Sequence, residues 1–366
     1  MGKMRIFLLA MFFVLGSAFP CFANTEVVSQ TGVITLEQAK GLVKENSRSL
    51  KKYEINADRT KYQQQQANYQ YYEAIDKYNG EDYERIKSAS SNIQNAENNY
   101  HDAVQDEENY RKQMDYVVEE IYTSLLNQEE SLNSLHKEQE LKQYQLSLER
   151  KKLALGSSSQ YKVDELAASV TTLKTKIMDQ TNSIKTKKGQ FNDLLGRDYD
   201  AELQLVPFET SQKVELPEYA TLLSDVSSAY STLSRLQRDL RDMEDDLDDE
   251  DDFDYYKYLV LRQEIKAKEL ELVDEKNSLN EVVNNLLTDV TSKQQDYQVA
   301  LTNYTNAQRS YEWAQKRYEM GQLSKLALLE SELNYLNVKN QKVTAGYSLY
   351  LSQHSLKLAA EGIVMN

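Results

Sequence analysis

The side chains able to do chemistry are few. His101, His136 and His354 are the only histidines, and no two have the three- or four-residue spacing that would set both imidazoles on one helix face for a shared metal. The single cysteine, Cys21, lies in the first 23 residues. Gly156-Ser157-Ser158-Ser159 sets hydroxyls after a glycine but lacks the second glycine of a nucleophile elbow. No glycine-rich loop of the phosphate- or dinucleotide-binding kind occurs. The densest charge is Glu244–Asp254, nine acids in eleven residues. Such a run can hold calcium, yet it has neither the glycine nor the ligand order of an EF-hand loop, so it reads as a solvated turn. The expectation is a protein that is not an enzyme and binds no metal or cofactor.

The scaffold around these residues is helical. Gly (11) and Pro (3) are scarce in 366 residues, too few for the turns of a β-rich fold. Apolar residues make up 40% and the mean hydropathy is −0.69. That composition suits long helices burying a narrow stripe. Met1–Arg5 followed by the apolar run Ile6–Leu15 and Cys21-Phe22-Ala23 reads as a secretory leader, residues 1–23. Pro20 stands where lipid attachment at Cys21 favours a small residue. Removing the leader takes Lys3 and Arg5 with it, which moves the net charge from −15 to −17. A chain that acidic does not suit a nucleic-acid backbone. No later segment is apolar enough for a membrane helix.

The helical pattern occurs twice. The first copy opens at Thr35-Leu36-Glu37 and runs to Tyr78 and the turn Asn79-Gly80. A long seam follows: Ile86, Ala89, Ile93, Ala96, Tyr100, Ala103, Tyr110, Met114, Val117 and Ile121, then Leu125, Leu132, Leu146 and Leu153, stopping at Gly156. A shorter helix reaches Leu195-Gly196. The second copy opens at Leu216-Pro217-Glu218, meets the acidic run, and continues in a seam from Tyr258 through Ile265, Leu279, Val282 and Leu286. The tyrosines 297, 304, 311 and 318 carry it on at seven-residue steps to Gly321. A last helix ends near Gly362. At an offset of 165 residues Gly156 falls on Gly321, Ser159 on Ser324 and Glu165 on Glu330, and Gly196 falls one short of Gly362. Residues 24–196 and 216–366 are therefore read as two repeats joined by a linker at 197–215.

Each long helix of roughly 70 residues would measure about 105 Å. The expected architecture is all-α: an elongated antiparallel coiled-coil bundle with an internal two-fold repeat. The helix after Gly156 is expected to abut the helix after Pro217 across the linker, and the last helix to abut the first. The tyrosines near the distal turns, Tyr69, Tyr71, Tyr72, Tyr78 and Tyr83 at one and Tyr255, Tyr256 and Tyr258 at the other, are expected to pack in helix seams, with a membrane-interface belt as the other reading. Such a layer of rods has open edges, and self-association closes it.

The segments Arg150-Lys-Lys-Leu-Ala-Leu-Gly-Ser-Ser-Ser159 and Lys316-Arg-Tyr-Glu-Met-Gly-Gln-Leu-Ser324 resemble the helix–Gly–helix tips of the TolC family of outer-membrane efflux ducts. Ile34-Thr-Leu-Glu-Gln-Ala39 and Leu194-Leu-Gly196 resemble that family's repeat start and repeat end. The resemblance implies a TolC-like trimer forming a hollow helical barrel in the cell envelope, which passes substrates from a membrane pump through a periplasmic-type adaptor. It makes Leu155, Gly156, Ser157, Met320, Gly321 and Gln322 the adaptor-docking tips, with a plain coiled-coil hairpin turn as the other reading. It makes Glu330 a pore-lining acid, against a solvated surface carboxylate; the second acidic position of the family pattern is Ala327 here, and Glu165 is only a repeat equivalent. The family's paired membrane strands have no counterpart, because Tyr78–Asp82 and Glu244–Asp254 lack alternating stretches of about ten residues. The chain is therefore not expected to span an outer membrane alone. The competing reading is a non-transport coiled-coil scaffold or spacer of the envelope.

Overall fold

The computed structural model describes residues 32–78, 83–210, 215–248 and 255–365. The leader with Cys21, the turn at Asn79-Gly80 and the stretch 249–254 of the acidic run lie outside the described residues. Eight helices and one pair of two-residue strands form the described chain. Strand β1 (Val33–Ile34) leads into α1 (Leu36–Asn46), α2 (Arg48–Tyr78), the 72-residue α3 (Tyr83–Ala154) and α4 (Gln160–Leu194). Strand β2 (Gln204–Leu205) opens the linker, and α5 (Tyr219–Ala229), α6 (Ser231–Asp248), the 65-residue α7 (Tyr255–Glu319) and α8 (Lys325–Ala360) complete the second half.

Four helices end in one device. Gly156, Gly196, Gly321 and Gly362 have φ of 71°, 73°, 73° and 80°. At each, the glycine N–H bonds back three residues and the next N–H bonds back five, as in Gly321 to Tyr318 and Gln322 to Arg317. This pairing caps the last carbonyls and needs a left-handed residue, which glycine supplies without a Cβ clash. Helix starts are equally legible. Thr35 accepts from the Gln38 N–H while the Gln38 side chain accepts from the Thr35 N–H, a complete capping box. Ser159 and Ser324 cap α4 and α8 alike.

The stacking of the short helices departs from the expectation. Both α2 and α4 pack on α3, and both α6 and α8 pack on α7. The end of α4 meets the break between α1 and α2: Asn46 Nδ2 donates to the Leu195 carbonyl at 3.1 Å, and a Cβ on Gly196 would overlap the Asn46 side chain. The end of α8 meets the break between α5 and α6, where a Cβ on Gly362 would overlap the Ala229 carbonyl. Each half thus stacks its own short helices on its own long helix. The reason is hairpin geometry: two turns at opposite ends of one long helix return both short helices onto that helix, and they meet midway. The sequence pattern also ran α1 into α2 and α5 into α6. The chain instead turns extended at Ser47 (ψ 115°) and Tyr230 (ψ 110°).

Packing sharpens the seams. Val118, Tyr122 and Val283 are fully buried, one residue on from the expected Val117, Ile121 and Val282. Tyr297 is buried, and Tyr304 and Tyr311 pack on Tyr335, while Tyr318 stays exposed. The distal tyrosines differ from the expectation: Tyr69 and Tyr72 point to solvent, because the inner face of α2 is already filled by Leu50, Ala57, Thr60 and Ala67, and Tyr255 and Tyr256 in the first turn of α7 are exposed as well.

The largest core lies at mid-length, where α1, α3, the end of α4 and the strands meet. β1 pairs in parallel with β2, Val33 opposite Gln204. Tyr122 fixes this pair from below: its hydroxyl lies 2.9 Å from the Ile34 carbonyl and 2.8 Å from the Val206 carbonyl, and accepts from the Val206 N–H at 2.8 Å. Beside it sits Glu119, 1% exposed, which accepts from Tyr350 at 2.6 Å, pairs with Lys40 at 2.7 Å and bonds His354. This cluster ties α1, α3 and α8, and therefore the two halves, at one level. A second core joins α5, α7 and α8.

Candidate functional site

The two hairpin tips stand open to solvent. A Cβ on Gly156 or Gly321 would meet nothing within 4 Å, unlike one on Gly196 or Gly362. Leu155 is 82% exposed and Met320 62%, so each tip carries one apolar knob at the same repeat position. Ser157 follows Gly156 and bonds through both its N–H and its hydroxyl to the Lys152 carbonyl. Gln322 follows Gly321 and bonds to the Arg317 carbonyl. The second tip lies beside the last turns of α3, short of the first tip: Lys325, the first residue of α8, lies over the ring of Tyr144 (5.2 Å), ten residues before the end of α3, and Gln145 Nε2 reaches Glu330 at 3.5 Å.

The tips are basic on an acidic chain. Lys151 and Lys152 close α3, and Lys316 and Arg317 close α7. Cations there complement the partial negative charge of a helix C-terminus. In the first tip Glu149 is held by Ser158 and Lys152, and these hydrogen bonds keep its carboxyl below the ordinary carboxylate value. The second tip has Ala314 and Leu323 in the repeat-equivalent positions, so the two tips differ chemically.

Glu330 is exposed on α8 and turned toward Gln145 of α3. Ala327 caps onto Ser324 through its N–H. The histidines stay apart: His354 belongs to the Glu119 cluster, and among the described residues no three His, Cys, Asp or Glu converge on a metal-binding position. Sequence reasoning missed the paired knobs Leu155 and Met320 as apolar features and missed the Glu119 cluster. The knobs were visible as two large apolar residues directly before each tip glycine. Glu119 carried no local signal, since its partners are more than 70 residues away in sequence.

A broader feature is the contrast between the two faces of the helical layer. One face at mid-length carries the strands and Pro207–Thr210. The other carries mostly uncharged polar side chains along two grooves, with Glu120, Lys293 and Asp296 as the charged members of their lining. One groove of about 550 Å³ runs between α7 and α8 past Asn337, Asn340, Gln341 and Thr344, flanked by Lys293 and Asp296. The other, about 300 Å³, runs between α3, α4 and α8 past Thr123, Ser124, Asn127, Gln128 and Gln180. No helix among the described residues is long and apolar enough to cross a membrane.

No family model matches the chain, and no curated protein sequence does. Solved structures do. The outer membrane protein VceC of Vibrio cholerae superposes with a TM-score of 0.54 at 16% identity, over 90% of this chain and 97% of that one. The CmeC outer membrane channel of Campylobacter jejuni gives 0.57 at 13% identity, over 89% and 86%. The outer-membrane channel OprN gives 0.61 at 12% identity, over 89% and 90%. Along nearly its whole described length, this chain has the helical fold of the TolC-type outer-membrane channels.

Proposed function

We propose that the protein is a TolC-like duct component of the cell envelope: a ring of copies, in the simplest case a homotrimer, that conducts solutes passively and takes its energy from a separate membrane pump through an adaptor. The observation that carries this reading is the fold match to channels along nearly the whole chain, combined with two exposed tips built alike. In it residues 24–196 and 216–366 are the two repeats and 197–215 the linker. Leu155, Gly156, Ser157, Met320, Gly321 and Gln322 form the docking surface, with Lys151, Lys152, Lys316 and Arg317 favouring an acidic adaptor face. The mostly uncharged polar face supports a water-filled lumen at mid-length, and Glu330 would add an acid to the wall nearer the tips. An acid there favours cations over anions.

A scaffold role is favoured by one observation. Residues 79–82 and 249–254 are all that separate the distal helices, shorter than the about nine residues of one membrane strand. The two readings part on mass and shape. The duct predicts a three-fold mass by light scattering and a hollow particle by electron microscopy, and a monomer without a lumen refutes it. Gly156→Pro and Gly321→Pro should weaken adaptor pulldown while helicity is kept. Undiminished pulldown points to the scaffold.

A further inference from the structure

The face that carries the strands also carries a cavity of about 330 Å³, roofed by the linker residues Pro207–Thr210. Its walls are aromatic and come from three places: Phe208 on the linker, Tyr347 on α8 and Tyr297 on α7, closed on the α3 side by Leu126. Tyr347 is 4% exposed and Tyr297 3%. Phe208 packs on Tyr347 and Tyr350 with ring centroids 5.1 and 5.2 Å apart, so the walls are held in place. The roof is pinned at both ends. Tyr122 takes the Val206 N–H at one end. At the other Thr210 sits over Gly346, where a Cβ would lie 3.0 Å from Thr210 Oγ1 and 3.4 Å from the Tyr297 ring. A glycine inside a helix is unfavourable on its own account, and here it lets the linker close on α8.

The charges around the cavity are not equivalent. Glu130 and Lys339 neutralise each other at 2.8 Å. Glu209 is exposed on the linker. Lys342 is half-buried, lies over the Tyr304 ring at 5.5 Å, and has no carboxylate within 4 Å among the described residues. Aromatic walls take up a flat ring through offset or edge contacts. An ammonium at the rim without an anion of its own favours a carboxylate, and a half-buried charge-assisted hydrogen bond is stronger than one in open water. The volume is at the small end of that of small-molecule sites, about 300–1,000 Å³, which gives room for one or two fused rings and none for a protein segment.

We propose that this cavity binds a small planar aromatic carboxylate, with its ring against Phe208 and Tyr347 and its carboxylate on Lys342. Such a ligand touches the linker and a helix of each half at once, so it fastens the crossing between the halves. The site is complete in one copy of the chain and goes beyond the duct reading, which it does not need.

The test uses the full chain and three probes that share one ring system: indole-3-acetate, neutral indole and cationic tryptamine, each titrated by calorimetry. Indole-3-acetate should bind about ten-fold more tightly than tryptamine and raise the unfolding temperature at saturation. Lys342→Gln should weaken indole-3-acetate about ten-fold, the worth of one charge-assisted hydrogen bond, and leave indole unchanged. Val343→Phe, which fills the cavity from α8, should abolish binding of all three, with circular dichroism showing that each variant keeps its helices. No saturable heat from indole-3-acetate at millimolar concentration overturns the proposal. Equal affinity for the three probes does so too, as does an indole-3-acetate affinity that survives both substitutions. Tryptamine as the tightest ligand, lost in Glu209→Gln, would make this a site for cations and overturn the carboxylate assignment.

Discussion

Removing the charge of Glu119 should destabilise the whole chain, because three donors from two other helices converge on one buried carboxylate. Glu119→Gln keeps the size and one acceptor oxygen but loses the charge that Lys40 and His354 face. Lys40, whose side chain is 15% exposed, would then keep only Glu37 at 3.1 Å, and that carboxylate is 81% exposed. Stranding one partner of a buried pair costs about 3 kcal/mol. With a urea dependence of about 3 kcal/mol per molar for a chain of this size, the unfolding midpoint followed by circular dichroism should fall by about 1 M. Glu37→Gln, which removes only the exposed partner, should cost under about 0.5 kcal/mol. Adding Lys40→Met to Glu119→Gln should recover part of the loss, since the stranded ammonium goes. A loss below about 1 kcal/mol for Glu119→Gln, or no recovery in the double variant, would refute the view that this carboxylate ties the halves together.

The same cluster sets a pH dependence. Burial pushes the Glu119 carboxyl up, but hydrogen bonds from His354, Lys40 and Tyr350 outweigh it and leave it below its ordinary 4.5. A depressed carboxylate contributes stability above its unfolded value and loses it as pH falls through the folded one. Acid titration of the unfolding midpoint should therefore show a decline below about pH 4.5 that is shallower in Glu119→Gln. Tyr122→Phe should cost about 2 kcal/mol and speed amide exchange at Val206, whose N–H donates to the lost hydroxyl. Gly321→Ala should cost about 1 kcal/mol, the left-handed penalty alone, whereas Gly362→Ala, which also drives a Cβ into the Ala229 carbonyl, should cost clearly more; equal midpoints for the two would contradict the junction described above. Arg238→Ala should cost about 1–2 kcal/mol by breaking the two-pronged bond to Asp102 (2.8 and 3.1 Å) that ties α6 to α3, and urea unfolding measures it.

The sequence by itself determined the helices, their glycine stops and the repetition. Each of these is written locally: a 3.5-residue apolar step, a serine at a helix start, a glycine where the backbone must turn left-handed. The tips at Gly156 and Gly321 belong to this class, and so do the matched Leu155 and Met320. Tertiary structure alone decided which short helix stacks on which, since the linker between Arg197 and Glu215 is long enough for either pairing and only the hairpins select one. It decided that the helices break at Ser47 and Tyr230, where the ends of α4 and α8 meet them; at the first break Ser47 caps α2 by accepting from the Leu50 N–H. It decided which tyrosines point outward, since period alone does not say which face a partner already fills. It brought Glu119 to Lys40 and His354, an arrangement made of residues far apart along the chain, for which no spacing rule exists.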